Sequence, residues 1–178
     1  MRAALIMSAR TKVEQEPNYT YVTARILLDE LRAEALSFLG VAEESTQPEM
    51  DEYYPKALAA FIDKGIELEM LDPKLKEYDL TKLGAAIEAD RDYKFTYLGL
   101  QTLYDRYFIH SQDIRYELPQ IFFMRVAMGL AAEESQKEER AIEFYRLLSS
   151  FDYMSSTPTL FNSGTLRPQL SSCYLTTV

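Results

Sequence analysis

The chain has 178 residues, 47% apolar and 26% charged, a composition that excludes disorder and fibrous repeats and fits one domain, or a domain with a fragment of another. Lys and Arg number 19 against 28 Asp and Glu, and a formal charge of −9 excludes the clustered cations that a nucleic-acid backbone requires. One cysteine excludes an internal disulfide, and there is no run of about 18 apolar residues to span a membrane.

Residues 1–16, rich in Ala, Leu, Ile and Met, predict a first helix ending near Pro17. Met1 to Met7 runs directly into Arg10 and Lys12 without a secretory-leader pattern, so a soluble cytoplasmic protein is expected. Asn18 is a candidate cap for a second helix over 19–39, in which Tyr21, Ala24, Leu28, Leu31, Ala35 and Phe38 form one apolar stripe. Gly40 is its expected stop, and residues 41–50 read as an acidic loop. Pro55 suggests the start of a third helix, with Leu58, Phe61, Ile62, Ile66 and Met70 on its core face.

Asp72-Pro73 restarts the chain, and Leu75, Leu80, Leu83, Ala86 and Ile87 continue helical spacing in short pieces. Asp90-Arg91-Asp92 breaks the pattern, and helix resumes over 96–108. Residues 109–117 read as a turn or short hairpin, and Pro119 opens an apolar helix to Ala132. Ser135 and Glu138 have capping-box spacing for a last helix to about Phe151. The paired carboxylates Glu133-Glu134 and Glu138-Glu139 suit a helix start, and Asp90 and Asp92 read as structural or solvated.

The tail departs from this pattern. From Tyr153 to Val178 the only charged residue is Arg167, where the 26% average would place about 7. Thr157-Pro158 and Arg167-Pro168 predict extended backbone, Asn162-Ser163-Gly164 predicts a turn, and residues 170–178 have strand composition. A lone strand cannot satisfy its edges, so the chain reads as the front of a larger protein or one piece of a split one. Residues 157–178 are then expected to be mobile or paired with a neighbour.

Cys173 admits three readings: a small buried hydrophobe, a nucleophile with His110 as base, or a redox thiol whose partner lies elsewhere. Thr157, Thr159, Asn162, Ser163, Thr165, Ser171 and Ser172 offer uncharged hydroxyls and amides. They either bond local backbone, as loop residues do, or form a polar wall for a sugar or phosphate. The 13 tyrosines, among them Tyr54, Tyr104, Tyr107 and Tyr145, read as core packing with hydroxyls reaching the surface. There is no HExxH, no metal-binding cysteine cluster and no glycine-rich phosphate loop.

The tail segment TPTLFNSGTLRPQLSSCYL resembles the stretch that opens the catalytic barrel in the large chain of class I ribonucleotide reductases. The resemblance extends back through DRDYKFTYLGLQTLYDRYFI, ELPQIFFMRVAMGLA and AIEFYRLLSSFDYMSSTPT, and more weakly to PNYTYVTARILLDELR. It implies a mainly α protein: an irregular helical N-terminal domain over 1–152, then a loop and the first strand of an otherwise absent ten-stranded α/β barrel over 153–178. The implied reaction reduces ribonucleoside diphosphates to deoxyribonucleotides by thiyl-radical chemistry.

By resemblance Cys173 is the first of a redox cysteine pair, forming its disulfide with a cysteine outside this chain. Thr157 and Ser172 match positions that contact the substrate nucleotide. The implied partners are the remainder of the large chain or its split half, a small radical-generating subunit, thioredoxin or glutaredoxin as reductant, and a ribonucleoside diphosphate, with no nucleic acid and no membrane. Nucleotide effectors (ATP and dNTP) belong to the whole enzyme, while this piece is expected to bind no cofactor or metal. The second cysteine, the radical-bearing cysteine, the proton-handling Asn and Glu and the lysine-rich start of an ATP cone are not in the sequence, so the piece alone is expected to be inactive. The alternatives are a stand-alone helical interaction module whose tail adds a strand to a partner's sheet, and a cysteine hydrolase using His110 and Cys173.

Overall fold

The computed structural model describes residues 2–173 and 175. Helix α1, Arg2–Arg10, stops short of the predicted length, and residues 11–15 form turns in which the Lys12 and Val13 amides bond the carbonyls of Ala9 and Arg10. Helix α2, Tyr19–Phe38, buries Ala24, Leu28, Leu31 and Ala35 of the predicted stripe and leaves Tyr21 exposed. Asn18 does not cap it: its backbone is already helical, and its side-chain amide donates to Glu16 Oε1 at 3.0 Å. Gly40 ends the helix as expected, its φ of 68° allowing the Val41 amide to reach the Leu36 carbonyl at 2.9 Å.

Helix α3, Met50–Glu67, begins before Pro55, which lies inside it. The earlier start follows a turn in which the Glu49 carboxylate accepts from both the amide and hydroxyl of Thr46, at 2.7 Å each. A 3₁₀ turn, Pro73–Glu77, and helix α4, Leu80–Ala85, are capped by Asp72 and Asp79, which accept from the Lys74 and Lys82 amides. A second 3₁₀ turn, Ala89–Lys94, leads into α5, Tyr97–Arg106, capped by Thr96. Strands β1, His110–Ser111, and β2, Ile114–Arg115, form the expected hairpin.

Helices α6, Pro119–Leu130, and α7, Lys137–Ser149, pack against each other more extensively than any other two elements. The capping box does not form. Gln136 precedes α7 without a side-chain bond, and Glu138 Oε1 accepts from the Asp79 amide instead. A short helix α8, Thr157–Asn162, stands where a loop was predicted, with Ser156 supplying the extended residue and Pro158 in the first turn. Residues 170–173 and 175 carry no strand, since no described strand lies beside them, and the rest of the predicted strand falls outside the described residues.

The core is organised around α6, in which every residue from Pro119 to Met128 is buried. Asp92, read from the sequence as structural or solvated, is buried at the centre of a polar network. Its Oδ2 accepts from Arg32 Nη2 (2.9 Å) and Tyr54 OH (2.8 Å), and its Oδ1 from Gln120 Nε2 (2.8 Å). Gln120 Oε1 in turn accepts from Tyr145 OH at 3.0 Å. The network ties α2, α3, α6 and α7 to one carboxylate, which leaves its charge paired and hydrogen-bonded.

A second buried pair fastens the tail. Arg125 on α6 donates from Nε to Glu117 Oε1 (2.6 Å), from Nη1 to the Ser163 carbonyl (2.7 Å) and from Nη2 to the Leu160 carbonyl (3.2 Å). Ser163 Oγ donates to the Val126 carbonyl at 2.7 Å, and Leu71 pairs with Thr165 in an isolated bridge. Residues 157–165 therefore pack on their own chain, contrary to the expectation of a mobile or neighbour-paired segment, because a buried guanidinium needs their carbonyls.

The crossing is close. A Cβ on Gly129 would lie 2.2 Å from the Gly164 nitrogen and 2.7 Å from the Ser163 carbonyl carbon. Backbone stands in the way, so Gly129→Ala should displace α8 and lower stability by about 1–3 kcal/mol, as overpacking does. A thermal unfolding midpoint equal to that of the parent would show that the crossing is looser than this.

Candidate functional site

The tail's polar residues divide by what they bond. Thr159 Oγ1 donates to the Leu170 carbonyl (3.4 Å) and Asn162 Nδ2 to the Gln169 carbonyl (2.7 Å), which fasten the descending segment to α8. Ser163 bonds the Val126 carbonyl, Thr165 the Asn162 carbonyl (2.8 Å) and Ser171 the Cys173 carbonyl (3.1 Å). Five of the seven residues thus bond main-chain carbonyls, but only Thr165 and Ser171 do so within a local turn, while Ser163 reaches across to α6. The other two, Thr157 and Ser172, bond no backbone group among the described residues. Thr157 Oγ1 meets Tyr107 OH at 3.2 Å, and Ser172 Oγ lies 3.8 Å from Cys173 Sγ.

Thr157 sits in the first turn of α8, whose far end Arg125 holds, so its backbone is fixed from the core. It lines a cleft of about 540 Å³ between the start of α5 and residues 151–160. The walls are largely apolar, with Leu98, Leu103, Phe151 and Leu160, and Lys94 is the only charged lining residue among those described. Lys94 Nζ donates to the Ser150 carbonyl at 3.4 Å.

Cys173 is exposed in this chain. Its only described side-chain neighbour in hydrogen-bond range is Ser172. No hydrogen bond joins Thr157 to Ser172 or Cys173 among the described residues. The hydrolase pairing finds no support: His110 is exposed in the hairpin, and its Nδ1 pairs with the Gln112 carbonyl at 3.0 Å. No group of three or more His, Cys, Asp or Glu among the described residues is arranged to hold a metal ion. No described helix is long and apolar enough to cross a membrane.

Tyr107 is the residue that the sequence treated only as core packing and the fold places at the site. Its ring stacks on Phe161 of α8 (centroids 4.5 Å, 14°) and meets Phe122 of α6 edge-on (6.3 Å, 75°). An apolar helix spacing does not distinguish a tyrosine with a buried hydroxyl from one whose hydroxyl meets a functional side chain. No local signal singled it out.

Residues 93–168 match the family model described as ribonucleotide reductase, all-alpha domain. The chain is 48% identical over 176 residues to the ribonucleoside-diphosphate reductase subunit alpha of Chlamydia trachomatis, covering 98% of this chain and 16% of that protein. It is 37% identical to the subunit alpha of Helicobacter pylori (98% of this chain, 21% of that protein) and 36% identical to the large subunit of Danio rerio (94% and 20%). The chain therefore spans about a sixth to a fifth of the length of these relatives.

Proposed function

Because the chain belongs to the ribonucleotide reductase large-chain family, as a helical N-terminal portion, we propose that it supplies one wall of a ribonucleoside diphosphate site and the first thiol of a redox pair. The observation that carries this reading is the division of the tail. Five polar side chains are taken up by backbone carbonyls, while Thr157 and Ser172, with the exposed Cys173, are left facing outward.

The chemistry suits those groups. In the overall step a ribonucleotide C2′–OH bond gives way to C2′–H, the hydroxyl leaves as water, and two thiols become a disulfide. The two electrons come from Cys173 and a second cysteine outside this chain, so neither group completes the reaction alone. Uncharged hydroxyls at Thr157 and Ser172 can bond a ribose or phosphate without the repulsion that neighbouring carboxylates would impose on a thiolate. The proposed division of the chain is a helical body over 1–152 and a segment over 153–178 that leads into the barrel.

The proposed partners are the rest of the large chain, a small radical-generating subunit, and thioredoxin or glutaredoxin to reduce the disulfide. Nucleotide effectors (ATP and dNTP) are assigned to the whole enzyme and not to this portion, and a cytoplasmic location fits the reductant. The test is turnover of the full large chain with its small subunit. Cys173→Ser should reduce thioredoxin-driven turnover to background and leave no intramolecular disulfide at that site after one reaction cycle. Unchanged multiple turnover in that variant would remove the redox assignment.

A further inference from the structure

We infer that Tyr107 is a positioning residue: its phenol hydroxyl fixes the Thr157 hydroxyl as a hydrogen-bond donor toward a phosphate oxygen of the ribonucleoside diphosphate. The inference rests on the substrate role proposed above for Thr157.

The two oxygens are 3.2 Å apart, and distance alone leaves the direction of the bond open. Chemistry decides it. A phenol O–H is a stronger hydrogen-bond donor than an aliphatic hydroxyl, and its oxygen, conjugated with the ring, is the poorer acceptor, so Tyr107 is the favoured donor. A threonine hydroxyl has one proton and two lone pairs. Once one lone pair accepts from Tyr107, the proton of Thr157 remains available to a further acceptor. A phosphate oxygen is such an acceptor and carries no proton that would compete for the same role.

The phenol is held in place by more than this bond. Its ring is clamped between Phe161 and Phe122, the latter fully buried. Phe161 and Thr157 both belong to α8, so Tyr107 contacts that helix at its first and last turns. Among the described residues Lys94 is the only charged one lining the cleft beside the pair, a sign that favours an anion over a cation. Tyr107→Phe would keep the ring and its packing and remove only the hydroxyl.

In the full large chain assayed with its small subunit, Tyr107→Phe should raise KM for the diphosphate substrate by roughly 3–10-fold, as the loss of one oriented hydrogen bond does. Its kcat should stay within about twofold, the signature of lost binding shared by ground and transition states. Its melting temperature should match the parent. Thr157→Val should raise KM similarly, and the double variant should be no worse than the weaker-binding single, because the two hydroxyls act as one unit.

Additive losses in the double variant, or an unchanged KM in Tyr107→Phe beside a raised KM in Thr157→Val, would overturn the positioning role and leave the substrate role of Thr157 standing. An unchanged KM in Thr157→Val would overturn that substrate role itself, and this inference with it.

Discussion

Replacing Arg125 with Met should cost about 3–5 kcal/mol of stability, the range for breaking a buried ion pair by removing one partner. Both side chains of the Arg125–Glu117 pair are fully buried, and Arg125 Nη2 adds a second contact to Glu117 Oε2 at 3.3 Å. Without the guanidinium, Glu117 keeps only the Ile109 amide at 2.9 Å as a described donor. The carbonyls of Leu160 and Ser163 also lose their buried donors. An uncompensated charge and two unpaired carbonyls are more costly than the lost attraction alone.

The damage should be directional. Amide protons in residues 159–165 should lose hydrogen-exchange protection to a greater extent than those of α2, because Arg125 is what fastens α8 to the core. Adding Glu117→Leu should recover part of the stability, since the stranded charge is then gone, but should not restore protection at Ser163. A denaturant midpoint within about 1 kcal/mol of the parent for Arg125→Met would show that water or a rearranged side chain satisfies Glu117.

Arg125 also carries a sequence signal for a buried partner. PQIFFMRVAMGL is apolar around the whole helix, and a charge in such a helix must be buried with a partner. Its nearest acid, Glu117, lies eight residues away, while the other acceptors are main-chain carbonyls at 160 and 163, which carry no residue signature. Asp92 was missed for a similar reason: its ion-pair partner Arg32 is 60 residues away.

Local signals were legible. Gly40 ending α2, the restart at Asp72-Pro73 and the turn or hairpin within 109–117 are set by backbone chemistry within a few residues and appear where the sequence places them, while Thr96 caps the helix expected to begin with it. Pro55 misled because its preference for a first turn is real but weaker than the Thr46–Glu49 turn that starts α3 earlier. At the site, composition gave seven equivalent polar residues. Only the fold separates five that bond backbone from Thr157 and Ser172, which the family resemblance had picked out on other grounds.

The folded chain should unfold cooperatively between about pH 10 and pH 12, driven by its interior tyrosines. Tyr54, Tyr78, Tyr116 and Tyr145 are all buried. Burial is the largest influence on each phenol and pushes all four above the ordinary range, Tyr145 up to about 12. Negative neighbours add to it: Asp92 beside Tyr54, Glu138 beside Tyr78 and Glu117 beside Tyr116.

The sign follows from which state holds the proton. In the unfolded chain these phenols ionise near pH 10, whereas in the folded chain they stay protonated. Their contribution to stability is therefore complete below about pH 10 and is lost as the pH climbs from there toward the folded values. Each group removes about 1.4 kcal/mol per pH unit once the unfolded phenol is ionised, so four together remove about 5–6 kcal/mol per unit. A domain stable by about 5–15 kcal/mol cannot withstand much more than two units of that slope.

Tyrosinate absorbance and far-UV circular dichroism followed together should show a steep ionisation step coincident with loss of helix. The Tyr145 hydroxyl joins Gln120 and the Glu88 amide, so Tyr145→Phe should lower stability at neutral pH yet flatten the alkaline slope by about one quarter. Complete ionisation of every tyrosine below pH 12 with the helical signal intact would mean that the four hydroxyls reach water in the folded state. The polar network around Asp92 would then be more open than its hydrogen bonds indicate.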